Sequence, residues 1–167
     1  SGGVDSTYVA YLVKKLGLRP LAVHLDSGWN SELAVHNINS IVTTLGIDLY
    51  THVLDWREMQ DLQLSFFKAS VANCDIPTDQ AINTILLKKA VQEKIKYIIT
   101  GSNLATEATL PRGWGHSNVD VAYLKGIQAK YGTMPLKKYP TISFLERGWH
   151  RYVTKIQKVP ILNYVTY

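Results

Sequence analysis

The chain has 167 residues, 46% of them hydrophobic and 19% charged, with a formal charge of +5 at pH 7. That length supports one domain with a real core, the composition belongs to globular rather than disordered proteins, and no apolar run reaches the length of a membrane span. Cys74 is the one cysteine, which excludes an internal disulfide framework and a CxxC zinc site; with no apolar leader, a cytoplasmic setting without membrane contact is expected.

Apolar residues at Val9, Leu12, Val13 and Leu16 predict a helix after an opening turn, closed near Gly17. Leu21–Leu25 (LAVHL) is a short buried strand between Pro20 and the turn Asp26-Ser27-Gly28. Ala34, Ile38, Ile41, Val42 and Leu45 mark a second helix, capped by Ser31 and ended by Gly46. Residues 47–54 (IDLYTHVL) form a second strand and 55–70 a helix carrying Phe66 and Phe67. Pro77 opens another helix, with Thr78 or Asp79 as its cap and Ile82, Ile85, Leu86 and Ala90 as its inner face. Tyr97–Thr100 (YIIT) is a third strand, running into Gly101-Ser102-Asn103. Residues 109–120 read as a loop, 121–131 as a helix, and the remainder shows aromatics without a period. Strands alternating with helices predict an α/β domain on a parallel sheet. Residues 1–108 would form its nucleotide-binding core, and 109–167 a substrate loop and C-terminal extension of the same domain.

The opening stretch SGGVDST has the parts of an anion site where a sheet turns into a helix. Gly2 and Gly3 let the backbone approach closely, and the first-turn N–H groups, aided by the helix dipole, can point at phosphate oxygens. Ser1, Ser6 and Thr7 add hydroxyls. Asp5 would repel phosphate by itself and makes sense as a ligand for Mg²⁺ bridging to the phosphates. The stretch is neither a GxxxxGK[ST] loop nor a GxGxxG fingerprint. An ordinary helix N-cap explains the same residues about as well.

SGGVDS resembles the SGGxDS signature of the PP-loop ATP pyrophosphatases. The stretches LAVHLDSGWNSELAVHNI, LGIDLYTHVLDWREMQDLQLSFFKAS, IPTDQAI and TGSNLATE extend the likeness over most of the chain. Together they are similar to the N-acetyl sugar amidotransferases of bacterial surface-polysaccharide (O-antigen) biosynthesis. The resemblance implies a Rossmann-like three-layer sandwich of the adenine nucleotide alpha hydrolase type. It also implies a central strand ahead of Ser1, outside this sequence; the end at Asn163–Tyr167 lacks a stop signal, so further chain is expected there too. It implies ATP and Mg²⁺, with Ser1, Gly2, Gly3, Val4, Asp5, Ser6 and Thr7 around the phosphates. Of these, Asp5 and Ser6 would be catalytic and Asp5 the metal ligand. His24, Leu25, Asp26 and Ser27 would hold adenine and ribose, and Gly101, Ser102 and Asn103 would close over ATP. The implied partners are a nucleotide-linked acetamido sugar and ammonia-supplying glutaminase and cyclase-like subunits.

On that reading Trp29, Asn30 and Glu32 face the sugar. Asp79, near the cleft if its helix precedes the YIIT strand, is a further substrate-binding candidate; an ordinary strand-to-helix turn accounts for Asp26-Ser27-Gly28 as well, and a proline-led helix start for Asp79. Glu107 is a second candidate beside Mg²⁺ or substrate, against the plain role of a first-turn acid. Lys125 and Lys137 or Lys138 are candidates to meet departing pyrophosphate. Residues 112–116 would be a substrate lid or a crossing loop. The five histidines (His24, His36, His52, His116 and His150) lack metal spacing, and Cys74 is expected to be a buried, inert thiol. Two other functions fit the same turn: a tRNA-modifying PP-loop enzyme, and a nucleotide-binding module without turnover. Basic residues are scattered with no dense patch, which argues against a nucleic-acid partner.

Overall fold

The computed structural model describes residues 2–102 and 119–161, and the element order alternates as the periodicity predicts. The elements are α1 (Val4–Lys15), β1 (Leu21–Asp26), α2 (Glu32–Leu45), β2 (Asp48–Val53), α3 (Trp56–Lys68), α4 (Ile76–Gln92), β3 (Tyr97–Thr100), α5 (Val121–Tyr131), α6 (Phe144–Tyr152) and β4 (Gln157–Pro160).

Local chemistry sets most of these boundaries. The Ser31 hydroxyl accepts from the Ala34 N–H at 3.2 Å, and Gly46 ends α2 in the left-handed region at φ 58°. Asp55 caps α3 by accepting from the Arg57 and Glu58 N–H groups, and Asp120 caps α5 through Ala122 and Tyr123. Several boundaries differ from the sequence reading by a residue or two, with β1 running to Asp26, β2 covering Asp48–Val53 and α3 covering Trp56–Lys68. The α1 cap is Leu16, with left-handed Gly17 one residue beyond it. Helix α4 begins at Ile76 with Asp75 in the cap position, so Pro77, Thr78 and Asp79 lie inside its first turn. Proline is tolerated there because first-turn N–H groups have no partner within the helix.

Strands β1 and β2 pair in parallel from Leu21↔Asp48 to Asp26↔Val53, joined by α2 as a βαβ unit. Strands β3 and β4 pair in parallel from Tyr97↔Gln157 to Thr100↔Pro160. The parallel pairing is as expected, but it forms two sheets of two strands rather than one continuous sheet. Between β1 and β3 lies an apolar cleft of about 440 Å³, walled by residues such as Val9, Val13, Val23, Ile41, Leu86 and Ile99. Neither strand has a pairing partner on its cleft side among the described residues.

The main core lies elsewhere. Leu54, Met59, Leu62 and Phe66 pack with Ile76, Ala81, Leu124, Ile127 and Tyr139. Leu124, Ile127 and Tyr139 thus tie the stretch around α5 to the core of α3. A smaller cluster, Val9 and Val13 with Leu12, Ile99 and Ile161 against them, ties α1 to β3. Among the described residues no helix is long and apolar enough to cross a membrane.

Candidate functional site

The 2–7 turn lies where α1 begins. Gly3 caps the helix in extended conformation without a side-chain cap. The Ser6 and Thr7 hydroxyls donate back to the Gly3 carbonyl at 3.0 and 2.8 Å. Both groups expected to offer donors to phosphate therefore also brace the turn. Gly3, Val4 and Asp5 are exposed, so their first-turn N–H groups, with no acceptor inside the helix, face a ligand's approach. Gly2 is wedged against α2. A Cβ there would stand 2.6 Å from the Ala34 carbonyl oxygen, and the Asn37 amide donates to the Gly2 carbonyl at 3.2 Å.

Gly101, at the end of β3, sits directly on this turn. A Cβ at Gly101 would stand 3.2 Å from the Asp5 carbonyl carbon and 3.3 Å from the Ser6 nitrogen. Even a Cβ there would be tight, so the backbone of the turn would have to give by a few tenths of an ångström. Ser102 follows, its hydroxyl 2.8 Å from that of Thr100. Two widely separated stretches named by the sequence, Gly2–Thr7 and Gly101–Ser102, are thereby brought together.

The end of β1 supplies the third side. Asp26 Oδ1 accepts from the Gly28 N–H at 2.9 Å and from the Asn30 amide at 3.0 Å, closing an Asx turn. The Asn30 amide also lies 3.4 Å from His24 Nε2. Burial holds the His24 imidazole below its ordinary value against the opposing pull of Asp26. Ser27 is buried, Leu25 packs toward the main core, and Trp29 and Glu32 are exposed. His24, Gly2, Ser6 and Gly101 share one end of the apolar cleft. The rest of that cleft is mostly apolar, with Arg19 and Lys89 also in its lining.

Other candidates lie in different surroundings. Asp79 is half-buried in the first turn of α4, where its charge is felt by Tyr139 and Lys158. Lys125 is exposed on α5, with Gln128, Gly132 and Met134 as neighbours rather than the turn. Lys138 pairs with Asp55 at 2.9 Å, and that contact raises the lysine and lowers the carboxylate. Its charge is therefore already matched in the fold. Cys74 is half-buried rather than buried, its Sγ 3.8 Å from the Val71 carbonyl. Among the described residues, no three His, Cys, Asp or Glu side chains converge as a metal cluster. Ser1, Asn103, Glu107, residues 112–116 and residues 162–167 lie outside the described residues.

Sequence reasoning passed over two features. Trp56 packs edge-on to Trp29, ring centroids 5.1 Å apart. Its signal was available, since it opens the helix after a strand, where loops at the carboxyl edge meet ligands. The second is a pair of buried carboxylates, Glu58 and Asp61, on α3. Glu58 accepts from the Lys137, Lys138 and Tyr139 N–H groups. Asp61 accepts from the Thr133 and Met134 N–H groups, the Thr133 hydroxyl and the Gln128 amide. These carboxylates hold the 132–139 segment in place, a scaffold role, and leave no geometry for acid–base chemistry.

No protein-family model matches the chain, and no curated protein sequence matches it.

Proposed function

We propose that this chain is the ATP-pyrophosphatase domain of an amidotransferase that converts the acetamido group of a nucleotide-linked sugar to an acetamidino group. The observation that carries the reading is the seat of Gly101 on the Asp5–Ser6 backbone. It puts a helix N-terminus with exposed first-turn amides at the carboxyl end of a parallel strand, and ligands of open α/β sheets bind at such ends. The resemblance of SGGVDS and the longer stretches to that family supplies the chemistry.

The finer architecture belongs to the same proposal. One further parallel strand, lying between the free edges of β1 and β3 and running into Gly2, would join the two sheets. The result would be a five-stranded centre of a three-layer, Rossmann-like sandwich. The largely apolar lining of the cleft, and edges of β1 and β3 that are unpaired among the described residues, support this.

The α1 amides and the Ser6 and Thr7 hydroxyls would cradle the phosphates, and the backbone of the His24–Ser27 strand end would carry adenine and ribose. Mg²⁺ usually takes only one or two protein carboxylates and completes its shell with phosphate and water. Asp5, exposed beside the turn, fits that need. Held there, Mg²⁺ would neutralise charge on the departing pyrophosphate. The acetamido oxygen attacks the α-phosphorus, forming a new P–O bond as the bond to the β-phosphate breaks and pyrophosphate leaves. Ammonia then adds to the imidate carbon, loses a proton, and expels AMP as the C–O bond breaks. No protein nucleophile is needed. The chain's work is positioning, charge neutralisation and exclusion of water from the imidate. Glutaminase and cyclase-like partners would deliver the ammonia.

The test uses the complete protein with ATP, Mg²⁺, an ammonium salt and a panel of nucleotide-linked acetamido sugars. Release of AMP and pyrophosphate that depends on one sugar, with that sugar gaining NH in place of oxygen, is the expected outcome. ADP and phosphate as products, or pyrophosphate release driven by tRNA and by no sugar, would overturn it.

A further inference from the structure

Trp29 and Trp56 stand side by side at the carboxyl edge of β1 and β2, and both are exposed. Trp29 is 61% exposed and Trp56 41%, with their rings edge-to-face at 70°. Adjacent exposed indoles form an apolar patch of the kind that marks a ligand surface.

Their placement is fixed without burial. Gly28 turns the chain at φ 83°, and a Cβ there would stand 2.4 Å from the Trp56 ring. Asp26 Oδ1 locks the same turn through Gly28 and Asn30. On the other side Asp55 caps α3 one residue before Trp56, and Lys138 pairs with that carboxylate. Both indoles are thus pre-positioned by backbone and carboxylate contacts, which lowers the entropic cost of stacking a ligand on them.

The polar groups beside the pair narrow the ligand chemistry. Both bonds to Asp26 go to Oδ1, and among the described residues Oδ2 accepts none. A carboxylate oxygen repels phosphate and welcomes a hydroxyl donor. Asn30 retains its amide oxygen as a further acceptor, and Glu32 opens α2 two residues later. A ring with one apolar face and a hydroxyl rim matches this combination.

We propose that Trp29 and Trp56 form the stacking wall of a pyranose subsite, with Asp26 and Asn30 reading the ring's hydroxyls. The proposal rests on the sugar-amidating function above and adds Trp56 as a specificity-determining residue. Trp56 sets the sugar's orientation and touches neither the phosphates of ATP nor the reacting carbon.

The test measures equilibrium binding to the complete protein by calorimetry, with Trp56→Ala, Trp56→Phe and Asp26→Asn variants checked for native circular dichroism. The probes are a UDP-linked N-acetylhexosamine, the methyl glycoside of the same sugar, UDP, and ATP with Mg²⁺. The alanine variant should weaken both sugar probes at least tenfold and leave UDP and ATP within twofold. The phenylalanine variant should retain most of the affinity, and Asp26→Asn should weaken the glycoside without affecting UDP. Unchanged sugar affinity in Trp56→Ala would overturn the subsite. So would a loss confined to ATP or UDP, which would make the indoles a platform for a nucleobase. Pyrophosphate release, read in parallel, separates the two proposals. Trp56-dependent sugar binding without sugar-dependent pyrophosphate release retains the subsite and removes the amidating function. Sugar-dependent release that is indifferent to Trp56 does the reverse.

Discussion

The half of the molecule around α3 and the half around α1 are held together in different ways. Around α3, Met59, Leu62, Phe66, Ile76 and Leu124 are almost wholly buried. Glu58 and Asp61 satisfy a run of backbone amides in the 132–139 segment. Around α1 the buried apolar cluster is Val9 and Val13, and the neighbouring strand edges face an open apolar cleft. One half is a finished scaffold. The other has strand edges that are unpaired among the described residues and exposed first-turn residues at Gly3, Val4 and Asp5, and the turn proposed to cradle the phosphates of ATP lies on it. Ligand-binding regions are commonly drawn from the less stable parts of a fold.

The sharpest way to break this contrast is to cut the two cores. Leu62→Ala should cost about 3–4 kcal/mol, since a tightly packed site leaves a cavity when truncated. Val13→Ala, which removes two methyl groups from a smaller cluster, should cost only about 1–2 kcal/mol. Denaturant unfolding of both variants measures the difference, and equal losses would erase the distinction.

Next is Asp61→Asn, expected to cost about 2 kcal/mol at pH 7 through weaker bonds to the buried amides. Burial pushes the Asp61 carboxyl up, but hydrogen bonds from Thr133, Gln128 and Met134 outweigh it and hold the group below its ordinary range. Its folded pKa is thus lowered, so its contribution is full above the unfolded value near 4 and fades as pH falls through the folded one. The stability gap between wild type and variant should be flat at neutral pH and close in acid. A gap that widened in acid would contradict the assignment.

The smallest effect in free energy is the most local. Gly101→Val should weaken ATP binding at least tenfold, about 1.4 kcal/mol, because its side chain meets the Asp5–Ser6 backbone. Calorimetric titration with ATP and Mg²⁺ reads it, and unchanged affinity would detach Gly101 from the site.

Much of the fold was legible because its signals are periodic and local. The apolar spacing of Val9, Leu12 and Val13, the Ser31 cap and Gly46 mark α1 and α2, and YIIT coincides with β3. The last part was not legible by period. Helix α6 is nine residues long, and its Phe144, Leu145, Trp149 and Tyr152 are exposed, so apolar spacing pointed to no core. Its capping box, Ser143 with Glu146, was present in the sequence and would have found it. Strand β4 (QKVP) is exposed over most of its length and takes its identity from pairing with β3. At the candidate site, the approach of Gly101 to Asp5 spans nearly the whole described core, and no local pattern encodes it. The same holds for Lys138, whose basic charge suggested a phosphate clamp but which lies beside Asp55 in the fold.

The most direct measurement follows the backbone amides of the ¹⁵N-labelled complete protein as ATP and Mg²⁺ are added. The account predicts that shifts concentrate at Gly2, Gly3, Asp5, Ser6, Ser27 and Gly101, around the start of α1 and the strand ends. The 132–139 segment should stay still. Shifts confined to Ala22, Val42, Leu86 and Ile98, deep in the apolar cleft, would mean that nucleotide enters the cavity instead, and the central claim would fall.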